Sequence, residues 1–310
     1  MPKGTDAEWQ AVRNAVVLAG VSTATVSMAV SYHEFQEPGH DIAELDRAWE
    51  VERLTHPFGV AHRMGRHLLR GASEMVGAAT RMVAEPLPLL VSPAPLARSA
   101  VEYSSRVWYL SQQHRERPEE RLARLERLLS DGLRNRNARG RLRNDVASER
   151  LDDLEAWLAA REGDLRRIRV PTISDLVDRY LDEIGVSNPK ADTYKSLSAI
   201  AHGNLVELDA IAGTAFKVFH ADGVDYNRLN TYARTLFTIR CVHGAASIAH
   251  QLSFEPERRT AELVPGTELS FDIPISQHLA SARGLIGVAE QNLQSLADTL
   301  GMKVLGERLT

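Results

Sequence analysis

The sequence predicts an all-α protein, a multi-helix bundle with at most one small β-hairpin. Three observations carry that expectation. Apolar residues recur at three- and four-residue spacing along most of the chain. Ala, Leu and Arg are abundant while aromatics make up only 6% of the 310 residues, a balance that favours helix over sheet. Alternating runs of β-branched residues are scarce. At 44% hydrophobic and 25% charged, the chain has the composition of a folded protein with a sizeable core.

Taken in order, the first segment is Ala15–Tyr32, "AVVLAGVSTATVSMAVSY". It is uncharged, but its Ser, Thr, Gly and Ala content makes it weakly hydrophobic. Asp6 and Glu8 precede it, and no strongly cationic stretch or clear cleavage site accompanies it. It reads as a buried helix of a soluble bundle, with no membrane span, in a cytoplasmic protein. Ile42–Leu54 and Val60–Val83 follow as helices; Val60, Met64, Leu68, Met75 and Met82 trace the apolar side of the second. Pro86, Pro88, Pro93 and Pro95 mark a connection, and a helix runs from about Leu96 to Ser111.

From 114 to 170 the chain becomes rich in Arg, Glu and Leu, with glycines at 132, 140 and 163 that predict a helical pair broken near 132–145. "TISD" at 172–175 is a capping box with Asp in place of Glu, and opens a helix Leu176–Ile184. Helices then follow over "YKSLSAIAHGN" (194–204), from about Asn227 to Leu252, and from about Ile275 to Leu300. Between them, "TAFKVFHADGVD" (214–225) has the pattern of a hairpin turning at Asp222-Gly223. The expected organisation is an N-terminal helical segment (1–57), a bundle domain (58–300) with 114–170 as a protruding arm, and a tail (301–310).

Bulk properties exclude several function classes. A net charge of −4 gives no chain-wide case for nucleic acid or membrane. The single cysteine, Cys241, rules out an internal disulfide and a multi-cysteine zinc site, and its apolar helical surroundings read as a buried structural thiol. No phosphate loop, nucleophile elbow or dinucleotide fingerprint occurs, and no cofactor is expected. Metal sites are not expected either. His243 and His250 are seven apart, His62 and His67 diverge, and Pro-Gly interrupts the Glu37–His40 spacing.

The helix "YKSLSAIAHGN" draws the most attention. At 100° per residue, Tyr194, Ser198 and His202 fall at about 0°, 40° and 80°, with Lys195 at about 100°. Leu197, Ile200 and Ala201 take the other side. One reading makes His202 a cap at the negative end of the helix dipole, with Gly203 closing the helix. The other makes it an acid–base group.

"SAIAHG" resembles the end of the motif in HEPN-type helical proteins, many of which are metal-independent ribonucleases. Their pattern is Arg, a polar residue, a short spacer and His. Ser198 matches the polar position and His202 the histidine, while Leu197 stands where the arginine belongs. The resemblance implies a helical fold and either of two functions. One is a non-catalytic relative acting by binding or as a homodimer. The other is a ribonuclease using His202, Ser198 and either Lys195 or an arginine brought in by folding. Lys195 supplies charge without the bidentate fork of arginine.

Arg98, Glu102 and Arg106 lie at four-residue steps on one helix face, with Tyr109 joining them, and read as a structural ion ladder. The stretch "LARSAVEYSSRVWYL", taken with "YKSLSAIAHGN", resembles all-helical proteins of bacteria to which no activity is attached. "NDVASERLD" (144–152) resembles the metal triad of class I terpene synthases with Asp152 for the final Glu. It lacks their upstream aspartate-rich motif and aromatic pocket. Residues 114–169 hold 15 arginines against 12 acids, and Arg134, Arg136, Arg139, Arg141 and Arg143 cluster at 131–143 with one acid. They are candidates to meet the phosphates of RNA, although no aromatic is interleaved to stack bases. No small-molecule ligand is indicated by any pattern.

Overall fold

The computed structural model describes residues 4–32, 40–49, 56–85, 92–112, 119–138, 152–156, 159–160, 168–186, 192–202, 221–251 and 274–302. Their regular structure is helical, and no strand occurs among them. The helices are α1 (Asp6–Tyr32), α2 (His40–Trp49), α3 (Pro57–Ala84), α4 (Pro93–Ser111), α5 (Glu119–Ala138), α6 (Ile173–Glu183), α7 (Asp192–Ala201), α8 (Ala221–Gln251) and α9 (Ile275–Leu300).

Helices α1, α3, α4, α8 and α9 form the body of the bundle, with α6 and α7 laid on α4 and with α2 and α5 on the α3 side. Trp9, Val12 and Val16 of α1 share a core with Val76 and Val83 of α3, Leu229 and Leu236 of α8, and Leu293 and Leu296 of α9. At the other end, Val26 and Val30 of α1 meet Leu69 of α3, Ala245 and Ala249 of α8, and Ile275 and Leu279 of α9. So α1 and α8 run parallel, and α3 and α9 run against them. The division expected after residue 57 therefore does not set α1 apart; it is a wall of the same core.

Sequence expectations and structure part at three places. Pro93 and Pro95 are not linker. They lie in the first turn of α4, where a missing N–H costs no hydrogen bond. Asp222 and Gly223 belong to the first turn of α8 rather than to a hairpin, because the longer helical pattern prevails over a two-residue turn signal; 203–220 lie outside the described residues. Gly132 lies inside α5, which is described to Ala138, within the 132–145 expected for the break, and 139–151 lie outside the described residues. The first half of α5 is packed rather than protruding, since Leu122 and Leu125 are buried against Phe58, Ala61 and Leu110.

The α6 cap forms half of the expected capping box: Thr172 Oγ1 accepts the Asp175 N–H at 3.2 Å, while Asp175 Oδ2 accepts from the Thr172 hydroxyl at 2.7 Å rather than from its backbone N–H. α3 is capped differently. His56, at a left-handed φ of 55°, offers no side-chain cap. Asp46 of α2 takes over, accepting the N–H of Phe58 at 2.7 Å and of Gly59 at 3.2 Å.

The C-termini of α1, α4 and α8 reach the same region, where their last carbonyls lack intrahelical partners. Two buried arginines supply them. Arg66 of α3 donates to the Val30 carbonyl of α1 and, at 3.3 Å, to the Ala249 carbonyl of α8. Arg124 of α5 donates to the Tyr109 and Gln112 carbonyls ending α4, at 3.2 and 2.7 Å.

Candidate functional site

α7 is the helix of the His202 motif, and its apolar side decides where the motif points. Tyr194, Leu197 and Ile200 enter the core against α4, which leaves Lys195 and His202 exposed and Ser196 and Ser198 half-buried. The His202 N–H donates to the Ser198 carbonyl at 3.0 Å, so the helical hydrogen bonding extends through the histidine. Among the described residues, no hydrogen bond or ion pair reaches the His202 ring.

Folding does bring an arginine to α7, but at another face. Arg234 of α8 donates to Ser196 Oγ at 3.4 Å. On a helix Ser196 and His202 are about 120° apart, so this guanidinium does not complete the pattern around the histidine. Lys195 shares the histidine's face at two turns' distance, about 10 Å along the axis.

Across the α4–α7 contact lies the Glu102 cluster. Glu102 Oε1 stands 2.9 Å from Arg98 Nε, and Oε2 stands 3.9 Å from Arg106 Nη1. Tyr194 Oη donates to Glu102 Oε1 at 2.8 Å, which ties α7 to α4. Arg98 Nε satisfies distance but not direction, an ion pair rather than a hydrogen bond. Tyr109 does not join the ladder. It is buried, its hydroxyl donates to the Arg169 carbonyl at 3.3 Å, and Arg124 lies 5.8 Å from its ring centroid. Burial, then the bond to Glu102, pushes the Tyr194 phenol up to about 12. Because that lies above the ordinary value near 10, Tyr194's contribution is complete below pH 10 and is lost as pH rises through about 12.

Glu102 is 16% exposed, between a buried and a surface ion pair. Glu102→Ala is therefore expected to cost about 1–3 kcal/mol in urea denaturation. The same change should bring the Tyr194 titration, followed by tyrosinate absorbance, down from its raised position. A loss within error of zero would reduce the cluster to surface decoration.

The arginine-rich stretch is only partly in view. Arg134 and Arg136 lie on the last turns of α5, while Arg139, Arg141 and Arg143, and residues 144–151 of the terpene-synthase-like motif, lie outside the described residues. No group of three or more His, Cys, Asp or Glu side chains placed to hold a metal occurs among the described residues. A groove of about 670 Å³ runs along α9 past Glu290, Gln294 and Asp298, and none of its lining comes from α4 or α7. Cys241 is wholly buried in α8, and burial pushes its thiol far above the usual range.

One cluster carried no motif. His62, Arg66 and Arg121 are buried together between α3 and α5. The available signal was two polar residues four apart, flanked by Phe58 and Leu69 on what proves to be the buried side of α3.

No family model, curated protein or solved structure matches this chain.

Proposed function

We propose that the chain is a non-catalytic, HEPN-like helical protein of the cytoplasm that acts by binding or by self-association. The observation that carries this reading is Leu197. It occupies the position of the arginine in the ribonuclease pattern and is wholly buried in the core, so it presents nothing to a phosphorane. Glu102 is committed to Arg98, Arg106 and Tyr194 and is not disposed to act as a base. Arg234 is spent on Ser196, away from His202.

Self-association has its own support. Leu18 and Val21 of α1 and Val288 of α9 are more than half or about half exposed, on two helices packed antiparallel. α1 alone among the described helices has the length and apolarity of a membrane span, and more than half of that window is buried inside the bundle, as in a core helix. The arginines of α5, Arg134 and Arg136, keep RNA among the candidate partners.

The second reading, a metal-independent ribonuclease, draws on the exposure of His202 beside Ser198 and Lys195. Incubation with mixed cellular RNA in EDTA separates the two. The wild type should leave the RNA intact, and His202→Asn should match it, with stability changed by about 1 kcal/mol or less. Cleavage by the wild type that falls about 10²–10⁴-fold in His202→Asn would install the enzyme in place of the binding protein. Light scattering of the same samples reports whether the chain self-associates.

A further inference from the structure

We propose that the seam between α1 and α9 is the interface of a twofold-symmetric dimer, with a second copy of this chain as its occupant. The proposal rests on the self-association reading and commits it to one surface. Four large apolar side chains are exposed among the described residues, and three of them sit on these two helices: Leu18 at 57%, Val21 at 52% and Val288 at 49%. Scattered singly, such residues mean little. These are not scattered. All three lie in the middle third of their helices, which pack antiparallel.

Their directions follow from their neighbours. On α1, Gly20 lies against Thr80 of α3, and Leu18 is about 160° round the helix from Gly20. On α9, Leu296 lies against Gly4 just before α1, and Glu290 meets Arg240 of α8 at 2.9 Å. Val288 is about 80° from Leu296 and about 160° from Glu290. Leu18 therefore leans away from α3 and Val288 away from α8. Both lean over the α1–α9 seam.

Two observations select a second copy as the occupant. The first is charge. α1 carries no Asp, Glu, Lys, Arg or His from Asn14 to Tyr32. Within about 40° of Val288, the exposed residues of α9 are Gln277, Ser281, Gly284, Ser295 and Thr299, all uncharged. A twofold axis sets a face against itself, so a charge near it would meet its own sign. This face has none to repel its copy, and none to hold a partner recognised by charge. The second is area. Two helices about 10 Å apart present a face about 20 Å wide. Over roughly 25 Å of helix that is about 500 Å² per copy, or about 1,000 Å² for both, the minimum for a specific interface. The dimer expected from it is a weak one, dissociating at micromolar concentration. Gly284 permits close approach. A Cβ there would meet nothing, so the face has a recess beside its three projecting side chains. Turned about a twofold axis, projections on one copy can enter the recess of the other.

Sedimentation equilibrium of the full chain from about 1 to about 200 µM tests the proposal. The wild type should pass from monomer to dimer across this range. Leu18→Glu and Val288→Glu should each weaken the dimer about tenfold or more, because an isologous interface carries every substitution twice. Tyr226→Glu, at the exposed apolar residue of α8, should dimerise as the wild type does. A wild type that stays monomeric throughout overturns both this interface and self-association itself. A dimer undiminished in both glutamate variants overturns the interface alone and leaves self-association to another face. If a glutamate variant loses its helical circular dichroism, Leu18→Ser and Val288→Ser, which add no charge, must still weaken the dimer severalfold. Equal dimerisation there also overturns the interface. Flotation with vesicles of phosphatidylcholine and phosphatidylglycerol is run in parallel. A monomeric wild type that floats with them, beside a Leu18→Glu variant that does not, would assign the face to a membrane and overturn the dimer.

Discussion

Arg66→Met is expected to lower stability by about 3–5 kcal/mol, with the slope of the urea transition unchanged. Methionine refills most of the space left by the arginine stem, so packing is not the main loss. What disappears is the double cap. Val30 O and Ala249 O lie in the last turns of α1 and α8, where the helix offers them no donor, and Arg66 is 2% exposed. Each carbonyl left unsatisfied in the interior costs about 1–3 kcal/mol. Removing a buried charge returns part of this, which sets the upper bound. Arg66→Lys should fall between, because one ammonium lacks the fork to serve two carbonyls from different helices. A loss below about 1 kcal/mol for the methionine variant would mean that water reaches these helix ends.

Gly20→Ala should cost about 2–3 kcal/mol, although alanine is the better helix former. A Cβ at position 20 would lie 2.2 Å from Thr80 Oγ1 and 2.7 Å from its Cγ2. Thr80 cannot swing aside easily. It is buried, short, and tied through Oγ1 to the Val76 carbonyl at 2.7 Å. The added methyl therefore pushes α1 away from α3 through the shared core. Gly77→Ala provides the contrast, since its new Cβ would meet Ala24 Cβ at an ordinary 3.5 Å. That variant should be neutral or stabilising by up to about 1 kcal/mol. Thr80→Ala introduced with Gly20→Ala should recover part of the loss, and the coupling can be read from a double-mutant cycle.

The all-α class was legible because periodicity needs no partner to be seen. α9 spans the expected Ile275–Leu300, and the Thr172–Asp175 cap could be read because both groups lie within four residues. The phase of α3 was harder. Val60, Met64, Leu68, Met75 and Met82 are all half-buried, and the innermost stripe is Phe58, Ala61, His62, Arg66, Leu69 and Val76. Small and polar residues conceal a buried face when large apolar ones flank it.

The Glu102 pairs follow helical spacing and were visible. The Tyr194 bond spans 92 positions and was not. Likewise, Leu197 declared the gap in the HEPN-like pattern, but nothing local revealed that Arg234 approaches Ser196. Interactions that join distant segments carry no periodic signature.

The interior position of Cys241 gives the molecule a stopwatch of its own. The chain's one sulfhydryl is shut inside α8, and its backbone carbonyl is held by the Tyr180 hydroxyl. An alkylating reagent has no other cysteine to consume and reaches this one only when the helix comes away from its neighbours. The labelling rate, divided by that of a free thiol under the same conditions, then measures how often the assembled bundle breathes open, molecule by molecule, in the absence of denaturant.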